Sequence, residues 1–161
     1  MIRLSAGLVL AASLAACSPN SETAAPAGAA TPDTGQYKAA LPMKELMAHV
    51  VDHAADGIWL AQGWLIDAEG THELFPTTDD GWRYASNAAV TLAEVSNLLL
   101  LPGRPMDDDR RWIDSTHHLY EAAMLAHEMA EARDKEAFFK AGSAIYEACT
   151  ECHEHYVVGS N

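Results

Sequence analysis

From about Pro42 onward the apolar residues recur at three- and four-residue steps, and no stretch sustains the two-residue alternation of a half-buried strand. The spacing predicts a first helix from about Pro42 to Ala61, with Met43, Leu46, Met47, Val50, Ala54 and Ile58 on one stripe. Proline suits its first turn and Gly63 its stop. A loop from about Trp64 to Thr78, carrying Gly70 and Pro76, leads to a second helix capped by Asp79 or Asp80. Its stripe is Trp82, Ala85, Ala89, Leu92, Ser96 and Leu99, and Pro102-Gly103 ends it. Asp107 to Asp109 suit the start of a third helix, with Trp112, Thr116, Leu119, Ala123, Ala126 and Ala130 inward, reaching about Arg133. A fourth begins at Asp134 and repeats Phe138, Ala141, Ile145, Ala148, Cys152 and Tyr156.

Helices of about 20 residues are about 30 Å long. Short connections let such helices pack against their neighbours in opposite directions, so the pattern predicts an all-α fold, an antiparallel four-helix bundle over residues 41–161. The alanine-rich stripes of the third and fourth helices suit either close backbone approach or a flat prosthetic group, and pattern alone leaves both open.

The chain before residue 41 is of another kind. Arg3 followed by the apolar Leu4 to Leu14 reads as an export leader over residues 1–16, too short for a membrane span. Leu14-Ala15-Ala16-Cys17 resembles the lipobox of bacterial lipoproteins, which implies cleavage before Cys17 and its lipidation. Ser18 to about Ala40 is Ser, Pro, Ala, Thr and Gly, which bury too little to order the chain. As a coil this tether spans roughly 25 to 30 Å. The membrane contact expected is therefore a lipid anchor. In enterobacterial sorting, the lack of aspartate after the lipidated cysteine implies the periplasmic face of the outer membrane rather than the inner.

The 161 residues carry a formal charge of −13, one step more negative once Arg3 is removed. Such a surface repels phosphate backbones and anionic lipid, which argues against nucleic acid and for protein partners with a basic patch.

The remaining cysteines stand in Cys149-Thr150-Glu151-Cys152-His153. C-x-x-C-H places two thiols three apart on one helix face, where they reach the two vinyl groups of a porphyrin, and an imidazole next to them for the iron. Two other readings compete. A thioredoxin-like redox pair belongs at a helix N-terminus after a strand, whereas this pair falls late in the last helix. A structural zinc site needs four ligands, and Cys17 is across a long tether. The motif therefore predicts one covalently attached haem c, with Cys149 and Cys152 as thioethers and His153 on the iron.

A helical chain with C-x-x-C-H in its last helix, and an aromatic, Tyr156, three residues after the histidine, resembles the class II c-type cytochromes, the cytochrome c′ and cytochrome c556 family. The resemblance covers about Leu41 to Val158. It rests on Leu46-Met47, on Ile145-Tyr146 ahead of the motif, and on Asn97-Leu98-Leu99 and Pro102-Gly103-Arg104. It implies a haem wedged between helices, His153 proximal and the first helix covering the distal face. Many cytochromes c′ carry Arg or Lys four residues after the haem histidine, where this chain has Val157.

In low-spin relatives a methionine of the first helix completes the iron's coordination. Met47 and Met43 are the candidates here, against an open or histidine-filled position, and against methionine as plain core filling. His49 and His53 fall off the stripe and read as surface groups, as does His155. His117, His118 and His127 lack the paired Glu-x-x-His spacing of di-iron bundles. Trp59, Trp82 and Trp112 read as packing aromatics whose indole N–H groups need partners. The segment holding Trp64, His72 and Phe75 is a candidate cover for haem or a partner surface. The function expected is electron transfer by a mono-haem carrier, the alternatives being a gas-binding module for nitric oxide or carbon monoxide and a haem-containing accessory subunit. No catalytic constellation is recognisable, so no enzymatic turnover is expected. The resemblance makes a homodimer plausible.

Overall fold

The computed structural model describes residues 37–107 and 110–157. The leader, Cys17 and most of the tether lie outside these residues, as do Asp108 and Asp109.

The first rod is a short α1 (Met43–Leu46), a π-helical turn (Met47–Val51) and α2 (Asp52–Trp59) in continuous succession. A hairpin of β1 (Trp64–Asp67) and β2 (Gly70–Glu73) follows, then α3 (Asp79–Ser96) with a 3-10 turn at Asn97–Leu100, α4 (Arg110–Ala132) and α5 (Lys135–Tyr156). The described chain is thus mostly helical with a small two-stranded sheet.

Neighbouring rods run in opposite senses. Ser86, early in α3, meets His127 and Glu131, late in α4, while Trp112 at the start of α4 donates its indole N–H to Leu99 O, 2.9 Å away, beyond the end of α3. Ser115 and His118 of α4 meet Glu151 near the end of α5. Trp59 at the end of α2 donates to Gly142 O in the first half of α5 at 3.0 Å.

The stripes hold well. Every predicted inward residue of α3 and α4, with Leu99 just after α3, is buried, and so are Phe138, Ala141, Ile145, Ala148 and Tyr156 of α5. The first rod differs in one respect. Of its stripe Leu46, Ala54 and Ile58 are buried and Met43, Met47 and Val50 only partly, while Val51 is buried because the π-turn adds a residue to the step. Close approach is steric at Gly57, where an added Cβ would stand 2.6 Å from Ala88 Cβ.

Two expectations are corrected. The strictly all-α reading fails at the hairpin, which lies in the predicted Trp64–Thr78 loop. Both of its strands are exposed along their whole length, so the sequence has no apolar-polar alternation to betray them. What makes the turn is local: Asp67 Oδ1 accepts from the N–H groups of Glu69 and Gly70, and Gly70 takes φ +133°. The second correction is the cap of α3. Thr78, not Asp79 or Asp80, accepts from Gly81 N at 3.1 Å, and the aspartates fill the first turn, where they complement the helix dipole. Asp134 caps α5 through Ala137 N.

The His118–Glu151 pair, 2.9 Å apart, gives a pH prediction. The hydrogen bond from the histidine holds the Glu151 carboxyl below its usual 4.5, and the same bond raises His118 above 6.5. The histidine's contribution is complete below 6.5 and lost as pH rises through its folded value. The glutamate's is complete above 4.5 and lost as pH falls through its own folded value. The pair therefore stabilises most between those two figures. Both groups are about half exposed, which limits the effect to a few tenths of a kcal/mol. An NMR titration checks it: His118 should titrate above 6.5 and fall back in Glu151→Gln. An unchanged midpoint in that variant would show that the pair does not form in solution.

Candidate functional site

The C-x-x-C-H motif occupies the last two turns of α5. The helical stripe that buries Ile145 and Ala148 carries Cys149 and Cys152 onto its edge, where both are half-buried and packed against the core. Neither is in a disulfide. Burial, with smaller contributions from the charges of Cys152 and Asp52, pushes the Cys149 thiol up to about 11, and burial, with Glu151, raises Cys152. A dithiol redox pair needs the reverse, a thiolate favoured at neutral pH by a helix N-terminus. These thiols sit at the other end of their helix.

His153 follows one residue later, about 100° around the helix, and is exposed. Tyr156 is buried below the motif. Its ring stands edge-on to Trp112 with centroids 4.9 Å apart, and its hydroxyl donates to Asp107 at 3.2 Å. His155 is exposed, as expected, and accepts from Arg111 Nη1 at 3.3 Å.

The first rod reaches this level in antiparallel register. From the Trp59–Gly142 bond, seven residues back along the rod and seven forward along α5 lead to Asp52 and Cys149, and the Asp52 carboxylate helps keep that thiol protonated. Five residues further stand Met47 on one side and Glu154, next to His153, on the other. By this count Met47 falls nearer the motif's histidine than Met43 does. Both are partly buried against the core. Met47 also opens the π-turn, a distortion often kept where a helix serves a site.

The seam between the first rod and α5 is thin among the described residues: α5 packs along α4, and the first rod along α3, far more extensively than the two touch each other. Two open grooves of about 350 and 340 Å³ flank α5, but neither is lined by Cys149, Cys152 or His153. The donors fit a c-type haem. Two thiols share one face, an imidazole adjoins them in sequence, and small residues back them.

Arg104 is a residue whose role the sequence does not disclose. It lies in the turn after α3, beside Gly103 with φ +82°, and is only 8% exposed. Its Nη2 donates to Leu41 O at 3.2 Å, while its Nε is buried without a hydrogen-bond partner. An arginine between a glycine and a proline looks like any exposed turn residue, so no sequence signal marks it as buried.

Other residues resolve into structure. His127 Nδ1–H donates to Ser86 Oγ at 2.9 Å, and that hydroxyl donates to Glu131 Oε1 at 2.6 Å, a tie between α3 and α4. His49 pairs with Glu45, and His53 and His117 are exposed. No group of three or more His, Cys, Asp or Glu suited to a metal ion occurs among the described residues. A porphyrin brings four ligands of its own, so this bears on direct metal binding only. Trp64 packs edge-on to Phe75 and Phe139, both 5.3 Å away, and Lys135 pairs with Glu73. These contacts fix the hairpin beside the start of α5, about 15 Å of helix from Cys149. It does not cover the motif.

No helix of the described residues is long and apolar enough to cross a membrane. Compared with known proteins, the chain matches no family model, no curated protein and no solved structure. The likeness to class II cytochromes rests on the motif residues and their placement.

Proposed function

We propose that the chain is a mono-haem c-type cytochrome of the class II kind, a four-helix bundle that carries single electrons in the periplasm while lipid on Cys17 tethers it to the membrane. One observation carries the reading: C-x-x-C-H stands late in α5, with both thiols free and half-buried against the core.

A haem c bound there supplies a one-electron iron couple. Cys149 and Cys152 would each add S–H across one vinyl group, forming two C–S bonds with no atom lost. His153 would ligate the iron and Met47 would be its second protein ligand, a soft thioether that would favour the reduced state and so a higher potential. Met43, a turn further from His153, packs as core. Buried Tyr156 and Trp112 hold the end of α5, and the acidic surface selects redox partners with a basic patch. The tether lets the domain reorient between a donor and an acceptor, the outer membrane being the expected residence.

Optical spectra of the membrane-derived protein, oxidised and reduced, test this. Low-spin, six-coordinate bands are expected, lost in Met47→Ala together with a fall in midpoint potential and retained in Met43→Ala. Five-coordinate, high-spin spectra with avid carbon monoxide binding in the unaltered protein would sink the methionine-ligated carrier and favour the gas-binding module. A chain that leaves the periplasm without haem would sink both.

A further inference from the structure

Arg104 poses a problem of electrostatics. The described side chains of this acidic protein offer many carboxylates, and the exposed Arg83, Arg110 and Arg133 each take one, Asp80, Asp114 and Asp79. The buried Arg104 takes none among the described residues. It holds one backbone carbonyl and leaves Nε, deep in the protein, with nothing to donate to. Withdrawing a guanidinium from water costs several kcal/mol unless an opposite charge or a full set of acceptors meets it. One carbonyl is a poor return. The fork of Nε and an Nη is built for the two oxygens of a carboxylate.

Its place says which carboxylate. Arg104 is bonded to Leu41, two residues ahead of Met43. Three residues further along the same turn, Asp107 accepts from Tyr156, four residues after Cys152. Trp112 closes the third side, bonded to Leu99 and edge-on to Tyr156. The turn therefore lies across the end of the seam where the first rod begins and α5 finishes, the end that holds Met43, Met47 and C-x-x-C-H. A haem attached by Cys149 and Cys152 would carry two propionate carboxylates on the porphyrin edge away from its vinyl groups, and a ring lying along the seam toward this turn would offer one of them to Arg104.

We propose that Arg104 is the anchor for a haem propionate, its Nε–H and an Nη–H donating to the carboxylate oxygens. This rests on the haem reading. It also gives the Gly103-Arg104 turn a task, that of carrying a cation into a place where none of the described carboxylates pairs with it. Arg104 acts as a positioning residue that fixes the haem plane and compensates one negative charge close to the iron.

The test compares the purified full-length protein with Arg104→Gln and Arg104→Lys by resonance Raman spectroscopy, read at the propionate bending band, alongside haem content and circular dichroism. In Arg104→Gln the band should move to lower frequency, because a propionate that loses a charged donor bends more easily, while attached haem stays at one per chain. Arg104→Lys, which keeps the charge and loses the fork, should fall between and serves where the glutamine variant does not fold. A band identical in the unaltered protein and in either folded variant would overturn the anchor and leave the haem reading standing. An unaltered protein without haem would overturn the haem reading itself, and the anchor with it.

Discussion

Replacing Cys149 and Cys152 together by alanine is expected to abolish covalent haem attachment altogether, while leaving the helices in place. A thioether forms only where a thiol meets a vinyl group, and the third cysteine, Cys17, is assigned to lipid at the far end of the tether. Haem staining on a denaturing gel should fall from full intensity to none. Each single variant should keep one thioether, and its reduced pyridine complex should absorb at longer wavelength, because the vinyl left free stays conjugated with the ring. Both thiols are half-buried at the edge of the stripe, so trimming them to alanine removes little packing, on the order of 1 kcal/mol. Circular dichroism therefore separates failed attachment from failed folding. Stained haem persisting in the double variant would refute the assignment of these cysteines.

The second large effect is on stability. Phe138 is 0% exposed and stands edge-on to Trp82, ring centroids 5.7 Å apart, where α5 meets α3. Phe138→Ala should cost roughly 3 to 5 kcal/mol, the lost transfer energy plus the cavity left behind. That is a large part of the roughly 5 to 15 kcal/mol that holds a domain folded, and it should lower the melting temperature by on the order of 10 to 20 °C. Its neighbour Phe139 is the control. It is 39% exposed and touches Trp64 of the hairpin, so Phe139→Ala should cost about 1 kcal/mol or less. The contrast tests the rotation of α5 about its axis, and with it which face carries the thiols. If the two variants melted alike, the face assigned to Cys149 and Cys152 would be wrong as well.

Most of the helical fold was legible because a buried stripe repeats. Trp82, Ala85, Ala89, Leu92, Ser96 and Leu99 keep one face through more than four turns, and each is buried. Where that signal is missing, reading fails for a definite reason. The hairpin exposes both faces, so Trp64 to Glu73 has nothing to alternate. The π-turn shifts burial from Val50 to Val51, a change of one residue that an ideal 3.6 period does not foresee. Thr78 takes the cap from Asp79 and Asp80 because a capping position is set by where the backbone turns helical, and three adjacent oxygen-bearing residues are all competent.

The chain alone determined the chemistry on offer. The two thiols and the imidazole of Cys149 to His153 are local, and their spacing on a helix follows from the sequence without reference to any other segment. Distance between segments is another matter. Which of Met47 and Met43 comes nearer the motif depends on the register in which the first rod passes α5, and the Trp59–Gly142 bond is one fixed point of that register, far from either methionine. Burial of Arg104 depends on three elements meeting at one end: Leu41, the turn after α3 and the foot of α5. Helical periodicity encodes which face of a segment turns inward, and nothing about what it meets there. That is decided when the rods pack.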